Sequence, residues 1–283
     1  MKKAYLIMLG IMVGMTGLAQ TDTTGKQNPS PESSDTIRVG SIIILKKGGY
    51  NDEGHYYKRS YKKDRITTNW VILDFGISTF NDRTDYSSPE AQTFVRNNNG
   101  NPPANKGDFS TKTKLSNVNI WLFMQRMSLY KNIINLKYGF GIEMNNYYYK
   151  SNIRYVENFN TEPNDYVIRD TVDFSKDKLA ADYITVPFMV NINTNPNGRH
   201  GGLMFSFGVS AGYLYSSRNK LKSDEFGKQK NKNDFNLNHW KLAYVAEVGL
   251  GPVKLYGSYA MQPLHEYGVK QYPYNIGIRF SSW

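Results

Sequence analysis

Charged side chains at alternate positions within apolar segments are the residues of this sequence best placed to do chemistry. They are Asp74, Lys137, Glu143, Lys241, Glu247, Lys254 and Arg279. If they share one interior, acids and bases of opposite sign either neutralise one another in a structural network or conduct protons and ions. We favour the structural network because the mixed signs allow pairing, and a proton or ion path is the alternative.

Histidine is the other residue type that supplies metal ligands and general bases. The four histidines are His55, His200, His239 and His265, and their separations match no metal-ligand spacing. His265 and Glu266, together with Ser258, would be parts of a lipid hydrolase, but no motif supports that grouping. The sequence holds no G-x-S-x-G motif and no phosphate-binding loop. We therefore predict no catalytic, cofactor-binding or metal-binding residues and no enzymatic activity.

Alternation at period two defines the elements that must carry these side chains. In residues 202–217, Phe205 and Phe207 alternate with Ser206 and Ser210, so one face of a strand is bulky and the other small. Strand patterns of this kind cover residues 68–80, 116–129, 133–149, 179–193, 202–217, 239–250, 253–262 and 272–281. The sequence thus predicts eight strands.

Two of the eight strands have an irregular pattern. Both faces of 116–129 carry apolar residues, so the pattern does not assign which face points inward. Pro187, within 179–193, lacks a ladder donor and predicts a bulge or a kink.

The connections between the predicted strands alternate in length. Those after the second, fourth and sixth strands are short, at 130–132, 194–201 and 251–252. Those after the first, third and fifth are long and polar, at 81–115, 150–178 and 218–238. Outer-membrane barrels have an even number of strands, short periplasmic turns and long outer loops. The predicted fold is therefore all-β, an eight-stranded antiparallel up-and-down transmembrane β-barrel with short periplasmic turns and long extracellular loops.

A barrel in a bilayer turns its apolar face to lipid and its small or polar face to the lumen. Phe205, Phe207 and Val209 are accordingly expected to contact lipid, and side chains should fill the lumen of so small a barrel. Tyrosines at the strand ends are expected to form girdles at the membrane interfaces. They are Tyr147, Tyr148, Tyr149, Tyr213, Tyr215, Tyr272 and Tyr274.

The N-terminal part of the chain differs in composition from the rest. Residues 1–19 combine Lys2 and Lys3, an apolar core and a Gly17-Leu18-Ala19 cleavage site, which predicts a signal peptide. A membrane anchor is the alternative. Residues 20–67 read as a periplasmic extension with a polar linker and a short β segment. Residues 68–283 form the predicted outer-membrane barrel, so the protein is expected in the cell outer membrane of a Gram-negative envelope.

The chain is basic, with a formal net charge of +11, and has no cysteine. A basic balance raises nucleic acid or an anionic membrane surface as a partner, and export argues against nucleic acid. The predicted loop 218–238 carries Arg218, Lys220, Lys222, Lys228, Lys230 and Lys232, with Asp224, Glu225 and Asp234 among them. That loop would contact lipopolysaccharide phosphates or be a solvated loop, and we favour the solvated loop.

Four strand sequences carry a resemblance to a known family: LKYGFGIE at 136–143, SAGYL at 210–214, QYPY at 271–274 and IGIRF at 276–280. Over roughly residues 35–283 they resemble the PorT-like outer-membrane β-barrel proteins of Bacteroidetes. The resemblance implies an integral outer-membrane barrel with a structural, binding or secretion-accessory role. It carries over no catalytic residues.

The expected partners are outer-membrane lipids and lipopolysaccharide, with envelope or secretion-complex proteins in addition. The aromatic C-terminal strand, ending in Phe280 and Trp283, resembles the signal read by the outer-membrane insertion machinery. Three other functions remain open at this point. They are a soluble periplasmic lipocalin-like lipid-binding barrel, a small porin, and an outer-membrane enzyme that modifies lipid A.

Overall fold

A computed structural model describes residues 36–39, 42–45, 65–98, 100–157, 165–196 and 202–281. Strands account for 67% and helix for 3%, which confirms the all-β class. The chain divides into two compact units, Met1–Tyr61 and Lys62–Trp283. The predicted signal peptide, the polar linker, His55 and His200 lie outside the described residues.

The described strands, in chain order, are β1 (Thr36–Val39), β2 (Ile42–Leu45), β3 (Ile66–Asp82), β4 (Val95–Arg96), β5 (Asn117–Tyr130), β6 (Ile134–Tyr148), β7 (Ile153–Glu157), β8 (Asp165–Arg169), β9 (Lys176–Asn193), β10 (Leu203–Ser223), β11 (Gly227–Asn231), β12 (Trp240–Leu250), β13 (Val253–Ala260) and β14 (Gln271–Phe280). A short helix, α1 (Pro89–Phe94), lies between β3 and β4. In the first unit, β1 and β2 pair antiparallel with Val39 opposite Ile42, so the predicted β segment is a hairpin.

Eight long strands of the second unit form one antiparallel sheet. Each pairs with the next in the chain, in the order β3, β5, β6, β9, β10, β12, β13 and β14. β14 pairs back with β3, so each of the eight strands has two hydrogen-bonded neighbours and the sheet closes into a ring. These strands match the eight predicted segments, and the large antiparallel sheet is confirmed.

Side-chain burial alternates along the ring strands as the sequence predicts. On β10, Phe205, Phe207 and Val209 are 41–56% exposed, whereas Ser206 and Ser210 are 3% exposed. The small face of β10 therefore points into the ring and the bulky face points out. This orientation puts the apolar side chains outside and leaves the interior to the polar ones.

A bulge in β5 explains why the sequence does not show which face of this strand points inward. The register of β5 against β6 shifts between Trp121 and Phe123, which makes Leu122 an extra residue. Trp121 and Met124 are buried, while Leu122 is exposed and Phe123 half-buried. The alternation changes phase at the bulge, so a straight strand pattern finds apolar residues on both faces.

Pro187 does not produce the bulge that its sequence context suggests. The pairing of β9 with β10 keeps its register through Pro187 and Ser210, and the bulge of that pair falls at Tyr215. The pairing of β9 with β6 has no partners between Thr185 and Phe188. The missing N–H therefore interrupts one ladder without shifting the other.

The described parts of the long connections contain regular secondary structure. In the connection after β3, Ser88 caps α1 by accepting a hydrogen bond from the Ala91 N–H, and Pro89 occupies the first turn. β8 pairs parallel with β4 and antiparallel with β7 in a small separate sheet. Residues 218–223 continue β10, which pairs there with β9 on one side and, over residues 219–223, with β11 on the other. The predicted loop 218–238 therefore begins as part of a three-stranded extension of the ring. We call the described residues of 83–116, 149–175, 232–239 and 261–270 the cap.

Candidate functional site

Arg279 lies at the centre of an ion-pair network inside the ring. Its Nε and Nη2 donate to Oδ1 and Oδ2 of Asp74 at 2.8 and 2.7 Å, and its Nη1 donates to Glu247 at 2.7 Å. Lys137 pairs with the other oxygen of Glu247. All four residues are at most 6% exposed. The predicted pairing of inward charges is confirmed for these four, two acids against two bases.

Neutral donors complete the hydrogen bonds of the two acids. Asp74 accepts from the Trp121 indole N–H at 2.7 Å and from the Asn119 amide at 3.1 Å. Glu247 accepts from the Ser206 hydroxyl at 2.7 Å. Because buried charges are costly unless paired and hydrogen-bonded, these neutral contacts are part of what allows the network to exist.

The remaining inward charges are also placed in the interior. Glu143 forms an ion pair with Lys241. Lys254, near the short turn between β12 and β13, donates to the Gly251 carbonyl at 3.2 Å and to the hydroxyl of Ser281. A further layer of buried polar side chains, linked by hydrogen bonds, consists of Ser78, Asn117, Asn119, Asn145, Tyr256 and Asn275.

Glycines on β6 make room for the large side chains of this interior. A Cβ on Gly141 would lie 2.8 Å from Cε3 of Trp121, and one on Gly139 would lie 2.8 Å from Cγ of Met124. Gly139-Phe140-Gly141 is therefore a packing feature of a strand, as its position in the sequence suggests. A cavity beside Arg279 has a volume of only about 20 Å³, room for one water molecule.

Large apolar side chains surround the outside of the ring. Every ring strand contributes to this outer apolar belt, which comprises Leu73, Phe75, Leu122, Ile134, Val186, Phe188, Phe205, Phe207, Val209, Leu242, Tyr244, Val253, Leu255, Ile276, Ile278 and Phe280, all exposed. Exposed apolar patches on water-soluble monomers are far smaller than a continuous band of this kind. A band of this kind is typical of a surface that binds lipid or another protein.

The cap has a hydrophobic core, which sequence reasoning missed. It joins inner-face residues of the strand ends (Tyr147, Leu179, Ala181, Tyr183 and Leu214) to residues of the cap (Phe94, Val95, Ala104, Phe109, Tyr149, Ile153, Tyr155, Leu264 and others). The signal is weak in sequence because these apolar residues are scattered among polar ones. Ser88-Pro89-Glu90, a helix-start pattern, was the clearest local indication of order.

The predicted tyrosine girdle is wrong for Tyr147 and Tyr149. They are 1% and 0% exposed and belong to the cap core, where Tyr149 Oη lies 2.8 Å from Tyr155 Oη. Tyr213 and Tyr215 are about half exposed on the outside of β10. Tyr213 packs edge-on against Trp240 with ring centroids 5.0 Å apart, in keeping with an interfacial aromatic pair.

His265 is fully buried in the cap. Its ring stacks on Tyr155 and meets Phe94 edge-on, and its Nε2 lies 3.4 Å from Tyr155 Oη. Burial without a charged partner lowers the pKa of His265 to about 3. The imidazole is therefore neutral at physiological pH and serves as a packed aromatic group.

His265, Glu266 and Ser258 do not form a hydrolase site. His265 makes its ring contacts inside the cap and no hydrogen bond to Ser258, while Glu266 lies 3.6 Å from the exposed His239. Within the described part of the chain, no group of three or more potential ligands is arranged to hold a metal ion. No helix in that part is long and apolar enough to cross a membrane.

A groove of about 640 Å³ lies where the cap meets β3, β13 and β14. Its lining combines Lys106 and Lys150 with Asp82, Tyr259 and Tyr274. The phenol oxygen of Tyr259 accepts a hydrogen bond from Arg83 at 3.2 Å. The groove is open and mixed in polarity, and it holds no arrangement of groups typical of catalysis.

Comparison with known proteins does not assign the chain to a family. No protein-family model matches the sequence, and no curated protein matches it.

Proposed function

We propose that this protein is an integral outer-membrane β-barrel whose interior is a closed polar network and not a channel. The observation that carries the proposal is the outer apolar belt, which surrounds an interior of paired charges and amides. Hydrocarbon outside and polar groups inside is the distribution of a membrane barrel, because lipid solvates the apolar face and the lumen holds the polar one.

Strand length supports the same proposal. A transmembrane β-strand needs about 9–11 residues when tilted. Seven of the eight ring strands have 10–21 residues, and β13 has 8. The closed ring also leaves no unpaired strand edge in the bilayer, which an open sheet would have.

The alternatives need a different interior. A lipocalin-like carrier would hold its lipid in an apolar cavity, whereas ion pairs such as Arg279–Asp74 occupy the inside of this ring. A porin needs an aqueous path, whereas Arg279, Lys137 and Tyr256 fill the centre. For the role we propose structural support or binding, with no enzymatic activity, and the PorT-like resemblance adds a secretion-accessory role.

Fractionation of cells that produce the full chain tests the location. We expect recovery in the outer-membrane fraction, resistance to extraction with alkaline carbonate and release by detergent. Recovery in the periplasmic fraction would overturn the proposal in favour of a soluble carrier.

Planar bilayers test the closed interior. Purified protein is expected to insert without steady single-channel conductance. Regular conductance steps would show an open pore and contradict the closed network. Lipid A mass spectra from a deletion strain test whether the protein is an enzyme that modifies lipid A. Altered lipid A that is restored by complementation would indicate such an enzyme.

A further inference from the structure

Lysines stand directly opposite one another on the outer face of the β9–β10–β11 extension. Two cross-strand rows are formed: Lys176–Lys222–Lys228 and Lys178–Lys220–Lys230. We call these six residues the lysine ladder. They lie on one face of the sheet because the alternate residues Leu179, Asn219 and Leu221 are buried on the other face. Five of the six are exposed or half-buried, whereas Lys178 is 8% exposed and its Nζ donates to Asn146 Oδ1.

Additional cations border the ladder. Arg218 precedes Lys220 by two residues on the same face of β10, and its guanidinium pairs with Asp182 at 2.7 Å. The Nζ of Lys114 lies 3.4 Å from the centre of the Tyr148 ring, and Lys178 approaches the same ring at 5.2 Å. None of the six ladder lysines forms an ion pair with a carboxylate of the described residues.

Like charges directly opposite each other destabilise a sheet. Consistent with this crowding, burial lowers the pKa of Lys220, and the nearby charges of Arg218, Lys230 and Lys176 lower it further. Lys220 lies beyond the outer apolar belt, in the extension of β10. A sheet surface that holds uncompensated positive charge in two registered rows is suited to a partner that brings several negative charges at once.

The ladder continues an apolar surface on the same two strands. Val186 and Phe188 of β9 and Phe207 and Val209 of β10 belong to the outer apolar belt, and Tyr215 is exposed farther along β10. Lys220 is five residues beyond Tyr215, about 16 Å along an extended strand. The complementary ligand therefore has anionic groups directly above apolar chains.

We propose that the lysine ladder binds the phosphate groups of lipopolysaccharide, whose acyl chains lie against the apolar belt of β9 and β10. This inference rests on the proposed outer-membrane location and adds a specific lipid partner to it. An amphiphile fits better than a soluble polyanion because the ladder and the apolar rows form one continuous face. The extension of β10 would then be a lipid-binding surface, whereas the sequence favoured a solvated loop at residues 218–238.

Binding is tested with the full chain purified in zwitterionic detergent. The probe is purified lipopolysaccharide, and inorganic pyrophosphate is the soluble anion for comparison. One variant carries Lys176→Gln, Lys222→Gln and Lys228→Gln, which removes the ladder row whose three lysines are all exposed. The matched control carries Lys106→Gln, Lys150→Gln and Lys270→Gln, which removes the same charge from exposed positions elsewhere.

We expect the row variant to bind lipopolysaccharide at least tenfold more weakly and the control variant to bind within about twofold of the wild type. Wild-type binding should weaken with added salt because the contacts are electrostatic. Equal loss in both variants, or no loss in the row variant, would overturn the proposal. Tight binding of pyrophosphate at the ladder would also overturn it, in favour of a soluble-anion site.

Insertion into phosphatidylcholine vesicles separates this inference from the proposed function. These vesicles carry no net charge, so the wild type and the row variant should insert equally well. Failure of the wild type to insert would overturn the outer-membrane proposal itself. Equal insertion with equal lipopolysaccharide affinity would leave that proposal standing and reject the ladder as its lipid site.

Discussion

Arg279 and Asp74 are opposite each other on β14 and β3, the last and first strands of the ring, and their side chains form a bidentate ion pair inside it. The two residues are 205 positions apart in sequence. The pair therefore joins the strands whose contact closes the ring. Glu247, held by Arg279 and Lys137, connects this closure to β12 and β6.

Replacing Arg279 is expected to destabilise the folded protein strongly. Arg279→Gln leaves Asp74 buried without its cation, and breaking one partner of a buried pair costs about 3–5 kcal/mol. Arg279→Lys keeps the charge but loses the two-pronged contact, so we expect a smaller loss. The measurement is the urea concentration at which half of the protein in detergent micelles is unfolded. The folded fraction is read from the gel mobility difference between unheated and heated samples.

The exposed Arg83→Gln provides the control for Arg279, and its midpoint should stay near that of the wild type. Asp74→Asn combined with Arg279→Gln should cost less than the sum of the single changes, because the double variant leaves no unpaired charge at this pair. Additive losses would contradict a direct energetic coupling of the two residues.

Phe207→Arg should hinder assembly into membranes. Phe207 is 56% exposed in the middle of the outer apolar belt, and an arginine near the bilayer midplane costs about 2–4 kcal/mol. Phe226 provides the matched position, because it is 53% exposed but lies in the turn between β10 and β11. The fraction folded into phosphatidylcholine vesicles should fall for Phe207→Arg and not for Phe226→Arg. Equal insertion of both variants would argue against lipid contact at Phe207.

Acid is expected to weaken the cap through His265. Its pKa is about 3 in the folded protein, below the ordinary value of 6.5, because burial disfavours the charged form. Below pH 6.5 the unfolded chain binds the proton and the folded cap does not, so stability falls until the pH reaches about 3. From pH 6.5 to pH 5 this residue should cost about 2 kcal/mol.

His265→Phe removes that titration and keeps an aromatic ring of similar size, so this share of the pH dependence should disappear. His239→Gln, at an exposed position, should leave it unchanged. Unfolding midpoints at pH 5 and pH 7 provide the measurement. An identical pH dependence in the wild type and His265→Phe would show that His265 is not the group responsible.

Lys220→Glu should stabilise the protein when no anionic lipid is present. The new carboxylate would lie opposite Lys178 and Lys230, replacing two like-charge contacts by two opposite-charge contacts. Cross-strand pairs contribute about 0.2–1 kcal/mol each, so we expect a gain of about 1 kcal/mol at low salt. Thermal unfolding in zwitterionic detergent measures it, with Lys150→Glu as control. A lower midpoint for Lys220→Glu than for Lys150→Glu would contradict the repulsion between the rows.

The sequence alone determined the ring strands and which side of most of them is polar. A strand repeats every two residues, so the alternation of Phe205, Ser206 and Phe207 contains the facing of β10 without reference to any other strand. The same local period identified Asp74, Glu247 and Arg279 as inward residues. Export, outer-membrane location and the PorT-like role remain predictions.

Only the tertiary structure decided the contacts between distant parts of the chain. Which acid meets Arg279 depends on the register of β14 against β3 and on closure of the ring, and neither is encoded in a local pattern. The bulge at Leu122 shifts the phase of β5, and the cap core gathers Phe94, Tyr149 and His265 from separate connections. The lysine ladder likewise exists only because β10 continues past residue 217 and aligns its lysines with those of β9 and β11. Local periodicity fixes where a side chain points, and strand pairing fixes what it meets.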